Sequence, residues 1–346
     1  MAESTTTDTW PSSRQAWFAA FMLAAANTFA FVDRQALALL VQPIKEDLQV
    51  SDTAMSLLYG LSFTMFYVLV GIPVARLADR ANRRNIVAAA IFIWSLATAL
   101  CGLARSFGML FIARIGVGAG EGGLSPAAYS ILSDYFPKHR LPAAMGVYQM
   151  GIYVGGAAAL LLGGLLATVV PPSSIVNVPL IGETKGWHIA FLMLGLPGLL
   201  LSALMLLVPE PPRRGEGVHA PSPPFPVLFA HLARHWQAYV GISLGFALMI
   251  LVGNATGAWI PAFFIRLHGM TTGELGLWLS WIIGIGGAVG AFFGGWLADK
   301  WTQRQPKART SISLIGALLS IPFIIGALLI EDTTPFTGMR VGENEL

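Results

Sequence analysis

Nine stretches of about 20 or more mostly apolar residues follow one another along this chain, and each is long enough to cross a bilayer as a helix. They are Trp17–Val41, Ala54–Ala75, Asn85–Leu103, Phe107–Tyr135, Ala143–Val170, Trp187–Val208, Ala238–Ile265, Gly273–Ala298 and Ser311–Ile330. The pattern predicts an all-α polytopic membrane protein. Composition agrees: 55% of residues are hydrophobic and only 11% are charged, against about 25% charged in soluble domains. That balance excludes an ordinary soluble enzyme, a disordered chain and a coiled coil. The single cysteine, Cys101, excludes a disulfide framework. The polar flank MAESTTTDTWPSSR and the length of the first run argue against a cleaved signal peptide.

Lysine and arginine in the loops predict orientation. With the N-terminus in the cytoplasm, fourteen of the 21 cations fall on that side, five fall outside, and Arg34 and Arg114 lie within spans. The net charge of +3 is therefore read as loop bias at a membrane rather than nucleic-acid binding. The longest loop contains PEPPRRGEGVHAPSPPFP, whose prolines predict a stiff, extended connector. Three regions result: a six-span domain over 1–208, a cytoplasmic linker over 209–237, and a second membrane domain over 238–346.

The two membrane domains share a motif. ARLADRANRR at 75–84 and GWLADKWTQR at 295–304 lie 220 residues apart, each after the second span of its half. Parallel six-helix halves are a transporter architecture. The motif resembles the signature loop of the major facilitator superfamily, G-x-L-A-D-R-x-G-R-R, departing from it at Ala75, Asn82 and Thr302. GWHIAF at 186–191 followed by PEPPRRG at 209–215 extends the resemblance. Within the superfamily, FVDR at 31–34 and RIGVGAGEGGLSPAAYSILSDYFP at 114–137 are similar to the spinster-like subfamily. The resemblance implies a secondary transporter working by alternating access in a bacterial-type inner membrane. It implies a monomer, an amphiphilic, lysolipid-like substrate, protons as coupling partners, and contact with membrane lipids. It implies a cytoplasmic gate at Asp79, Arg80, Arg83 and Arg84, with Asp299, Lys300 and Arg304 as the second copy. An organic anion–proton symporter or drug exporter is the nearest alternative, and a non-transporting membrane fragment or sensor the alternative of another class. On the repeat offset, a twelfth span would end near residue 428; the chain reaches Leu346 after the ninth, so an architecture lacking its last three helices is expected.

Away from the span ends, the charged residues inside the spans are Asp33, Arg34, Arg114 and Glu121. Each costs about 2.5–3.5 kcal/mol at a helix centre, so a partner or a function is expected. By axial rise, Asp33 and Arg114 sit about 12 and 10 Å from the outer ends of their spans, with Glu121 roughly 10 Å deeper than Arg114. Pairing of Asp33 or Glu121 with Arg114 is therefore expected. A carboxylate beside an arginine stays ionised, and drawing the arginine away favours protonation, which links a proton to a conformational change. Arg34 or Arg114 is suited to an anionic headgroup. Asn27, Tyr67, Tyr129, Gln149 and Asn254 are candidate cavity residues. GAGEGG at 118–123 matches a dinucleotide fingerprint by spelling alone; inside a span it reads as close helix packing. No cofactor, metal centre or catalytic site is expected, and no Walker motif points to ATP.

Overall fold

The computed structural model describes residues 10–178, 182–214, 225–302 and 308–329. The helices are α1 (Ser13–Leu48), α2 (Asp52–Ser56), α3 (Ser62–Ala78), α4 (Arg83–Cys101), α5 (Phe107–Glu121), α6 (Leu124–Tyr135) and α7 (Leu141–Val169). After the strands β1 (Ile175–Val178) and β2 (Gly182–Lys185) come α8 (Gly186–Met205), α9 (Phe225–Arg234), α10 (Trp236–His268), α11 (Thr272–Trp281), α12 (Gly287–Thr302) and α13 (Ala308–Leu329). Each of the nine expected spans coincides with one helix or a broken run of helices. Six helical stretches among the described residues are long and apolar enough to cross a membrane.

Polar punctuation sets the ends. Side-chain oxygens of Ser12, Ser51, Asn82 and Ser106 accept the backbone N–H three residues on, satisfying donors that a helix start leaves open. Thr271 and Glu274 close a reciprocal capping box ahead of α11. Gln49, in the left-handed region at φ 52°, ends α1 by donating to the Lys45 carbonyl. Two spans carry π-helical turns: Leu57–Leu61 joins α2 to α3, and Ile282–Gly286 joins α11 to α12.

Three sequence expectations are revised. The span 107–135 is two helices, interrupted at Gly122 and Gly123. The linker is not extended throughout, because FPVLFAHLAR forms α9. The loop after α7 folds into the hairpin β1–β2, with Val176 opposite Thr184. The hairpin marks one face of the molecule; the opposite face holds the loop after α3 and the linker. These faces are called the hairpin side and the linker side.

The first half packs inward on Trp94, Trp187, Phe191, Leu23 and Leu37, all fully buried. Leucines, valines and isoleucines such as Val68, Leu69, Ile72 and Ile112 point outward, as a chain solvated by lipid allows. Close packing rests on glycine. A Cβ on Gly118 would lie 2.3 Å from the Phe63 carbonyl oxygen, and one on Gly120 would lie 2.6 Å from the Trp94 nitrogen. The GAGEGG segment therefore seats α5 against α3 and α4. Between the halves, α7 meets α11: a Cβ on Gly276 would stand 2.3 Å from the Leu160 carbonyl oxygen and 2.6 Å from the Gly164 Cα.

Candidate functional site

The four intramembrane charges come from two elements. Asp33 and Arg34 are adjacent on α1; Arg114 and Glu121 lie two turns apart on α5, held close by the α5 glycines. All but Arg34 are almost wholly buried.

The pairing differs from the expectation. Arg34, not Arg114, holds Glu121: its Nε donates to Glu121 Oε2 at 2.6 Å. Asp33 accepts from the Thr98 hydroxyl of α4 at 3.0 Å. Axial depth placed Asp33 level with Arg114 and Glu121 deeper, and could not fix which way each side chain points around its helix; the Arg34–Glu121 bond sets these two at one level instead. Arg114 packs its guanidinium 5.4 Å from the centre of the Phe63 ring, and its Nε and Nη1 have no hydrogen-bond partner. Asp33 Oδ1 and Glu121 Oε1 are likewise buried without a partner. Both acids lie within electrostatic reach of Arg114. The cluster is thus charge-balanced while several of its strongest polar atoms stay unbonded, a costly state for buried groups.

Arg34 is the least buried member, with 27% of its side chain exposed against none for Glu121. It is also the most confined in direction. The rings of Phe31, Phe63 and Tyr67 stand 4.9, 4.7 and 5.1 Å from its guanidinium carbon, distances at which an arginine is attracted to a ring face. Tyr67 thus joins the site.

The other candidate cavity residues divide. Asn27 is buried and its Nδ2 donates to the Tyr148 carbonyl at 2.9 Å, tying α1 to α7. Tyr129 is exposed, reaches Gln149 at 3.5 Å, and sits edge-on to Tyr148 at 5.4 Å. Asn254 is exposed on α10.

On the linker side, Arg83 is the centre of the signature loop. It is fully buried. Its Nη1 bonds Asp134 and donates to the Ser130 hydroxyl at 2.9 Å, its Nε donates to Glu210 Oε1 at 2.7 Å, and its Nη2 donates to the Pro211 carbonyl at 2.9 Å. The Arg84 N–H donates to Glu210 Oε2 at 2.8 Å. Arg213 donates to the carbonyls of Ala78 and Ala81 at 2.7 and 2.8 Å. Asp79 and Arg80 lie exposed at the end of α3. This network joins α4, α6 and the start of the linker, all before residue 215. Asp134, Glu210 and Arg213 were not expected in it, although the motifs containing them were visible. In the second copy, Lys300 is exposed near the end of α12, the Asp299 side chain is not described, and Arg304 lies outside the described residues.

The contact between halves that the sequence did not suggest lies on the hairpin side. Arg266, at the end of α10, donates to both oxygens of Asp52 at 2.8 and 3.2 Å and to Gln42 at 2.9 Å. Lys45 meets the same carboxylate at 2.9 Å. A two-pronged arginine–carboxylate bond fixes orientation as well as distance. Asp52→Asn should therefore loosen this side: spin labels at Glu46 and His268 should show a longer, broader distance distribution by pulsed electron resonance. An unchanged distribution would mean that the bond does not hold the halves together.

A family model described as Major Facilitator Superfamily matches residues 17–337. The chain is 32% identical over 325 residues to an MFS-type efflux pump of Mycolicibacterium smegmatis, covering 92% of this chain and 71% of that one. It is 24% identical to the protein spinster of Drosophila melanogaster, with 92% and 52% covered. Among solved structures, a bacterial homolog of the human lysosomal transporter spinster, inward-facing and unoccupied, superposes with a TM-score of 0.75 at 32% identity, covering 92% of this chain and 70% of that one. A D-xylose–proton symporter shares the fold, with a TM-score of 0.58 at 18% identity over 82% of this chain and 69% of that one.

Proposed function

Because the chain belongs to the Major Facilitator Superfamily and is a spinster-like membrane transporter, we propose that it carries lysolipid-like amphiphiles by proton-coupled alternating access. The single observation that carries this reading is the buried cluster of Asp33, Arg34, Arg114 and Glu121, with unbonded polar atoms on three of its members.

In this reading Glu121 and Asp33 are the proton-accepting groups. Protonation of Glu121 removes the charge that Arg34 faces. Arg34, partly exposed and hemmed by three rings, then becomes the receptor for an anionic headgroup. Arg114, between two carboxylates and short of donors' partners, takes whichever acid remains ionised. The Arg266–Asp52 bond and the α7–α11 contact close the hairpin side, and the similarity to an inward-facing relative supports reading this as an inward-facing state with the linker side in the cytoplasm. The signature loop then acts on the cytoplasmic side: Arg83 and Arg84 hold the start of the linker, with Asp79, Arg80, Asp299, Lys300 and Arg304 as the remaining gate residues. The protein works as a monomer with a bacterial-type inner membrane around it.

Uptake of lysophosphatidylcholine into proteoliposomes under an imposed proton gradient tests the reading. Asp33→Asn and Glu121→Gln should each flatten the pH dependence of uptake. Unchanged pH dependence in both variants would overturn the coupling role. The similarity to an efflux pump favours a second reading, drug export; transport of cationic dyes with no lysolipid uptake would select it.

A further inference from the structure

The hairpin side holds a cavity of about 280 Å³ that none of the networks above uses. It lies where the end of α1, the loop between α4 and α5, strand β2 and the first turn of α8 meet. Its wall carries Asp47, Arg105, Glu183, Thr184, Lys185 and His188. Ligand sites usually span about 300–1,000 Å³, so this space suits a small polar molecule and not a whole amphiphile.

The wall is tied together. Lys185 Nζ meets Asp47 Oδ1 at 2.6 Å, and the Trp187 indole donates to Asp47 Oδ2 at 2.8 Å, which fastens β2 and α8 to α1. Arg105 Nη1 donates to the Glu183 carbonyl at 3.1 Å. His188 Nε2 stands 3.0 Å from the Ala104 carbonyl, which can only accept, so Nε2 carries the proton. The Trp187 ring stacks on the His188 ring at 3.5 Å and fixes its plane.

Two polar atoms of the wall are left over. Thr184 and His188 are each 3% exposed, yet Thr184 Oγ1 and His188 Nδ1 have no hydrogen-bond partner among the described residues. Leaving buried polar atoms unbonded is costly. With Nε2 protonated, the neutral ring presents a bare lone pair at Nδ1, and a hydroxyl oxygen accepts as well. Both atoms therefore suit a donor, and an ammonium group supplies three N–H. The charges of the wall balance, Arg105 and Lys185 against Asp47 and Glu183. A bare anion or a bare cation would unbalance it; a zwitterion would not.

We propose that this cavity binds a small zwitterion in which a short carbon bridge joins an ammonium to a phosphate. The ammonium bonds His188 Nδ1 and Thr184 Oγ1, and the phosphate takes the guanidinium of Arg105, whose planar fork matches it. Free phosphoethanolamine and the headgroup of phosphatidylethanolamine offer the same chemistry. The bound group bridges the hairpin, the loop between α4 and α5, and α8. The site is separate from the charged cluster and its occupation requires no transport, so this proposal and the transport reading fail independently.

The full chain in detergent, titrated by calorimetry with phosphoethanolamine, carries the test. Phosphoethanolamine should bind and raise the melting temperature. Inorganic phosphate and ethanolamine should each bind at least roughly tenfold more weakly. Thr184→Val should weaken binding about tenfold while the melting temperature of the unliganded protein holds or rises, because an unbonded hydroxyl is exchanged for a methyl. Arg105→Gln should weaken binding of phosphoethanolamine more than that of ethanolamine. Lipid discs separate the sources: weaker titration in discs containing phosphatidylethanolamine than in pure phosphatidylcholine assigns the site to the headgroup, and equal titration assigns it to the free compound. Phosphate binding as tight as that of phosphoethanolamine would overturn the zwitterion in favour of an anion. Unchanged affinity in Thr184→Val would overturn the location. No binding of phosphoethanolamine, with equal melting temperatures in the two kinds of disc, would overturn the site itself.

Discussion

Arg83→Ala should lower the stability of the purified protein more than any other single change on the linker side, by about 3–5 kcal/mol. Arg83 serves five acceptors from inside the protein: Asp134, Glu210, the hydroxyl and carbonyl of Ser130, and the Pro211 carbonyl. Removing it leaves the Asp134 carboxylate buried without its counter-charge, held among the described residues only by the Arg214 N–H, which donates to its Oδ1 at 3.0 Å. The unpaired charge, rather than the lost bond, sets the size of the effect. Lysine should rescue little, since three donors on a flexible stem cannot serve acceptors arranged for a planar fork. Asp134→Asn added to Arg83→Ala should recover part of the loss, because it deletes the stranded charge. Thermal unfolding in detergent, followed by fluorescence, checks all three variants. A melting temperature for Arg83→Ala equal to that of the parent would show that the network contributes no stability.

Gly276→Val should drive the halves apart on the hairpin side. The atoms facing the new side chain are backbone: the Leu160 carbonyl oxygen and the Gly164 Cα and nitrogen. No rotamer change can make room, so α7 and α11 must separate. Overpacking typically costs about 1–3 kcal/mol, and here that cost falls on the closed arrangement alone. The closed population should therefore drop roughly 5- to 150-fold relative to the open one. Labels at Glu46 and His268 should report a long distance as the main species. Combining Gly276→Val with Asp52→Asn should add little once the side is already open. A parent-like distance distribution for Gly276→Val would mean that the contact yields without opening.

Much of this was legible in the residues. Apolar runs mark spans because a bilayer leaves few other ways to satisfy a backbone. Asp33, Arg34, Arg114 and Glu121 stood out because charge is rare where it is expensive. Their partners were not legible. Asp33 and Arg34 are neighbours in sequence but point about 100° apart on a helix. Height along a helix is written in residue number, whereas direction depends on how α1, α4 and α5 are rotated against each other. Thr98, an ordinary polar residue in a span, gave no signal of its own. Arg266 and Asp52 looked like loop charges because they lie 214 residues apart and meet only when the halves dock. Proline density hid α9, although its i, i+3, i+4, i+7 spacing was present in the linker.

The two π-helical turns carry a geometric consequence. Leu57–Leu61 and Ile282–Gly286 lie 225 residues apart, close to the 220-residue spacing of the repeated motif, and each sits in the second span of its half. A π turn holds one residue more than an α turn needs. When such a turn tightens, the surplus residue has to go somewhere, and everything downstream rotates by about 100° relative to everything upstream. Each half thus contains a ratchet one tooth wide. The first lies upstream of the Phe63 and Tyr67 rings that flank Arg34, so one tooth of travel there would turn the walls of the charged pocket without moving the charges themselves.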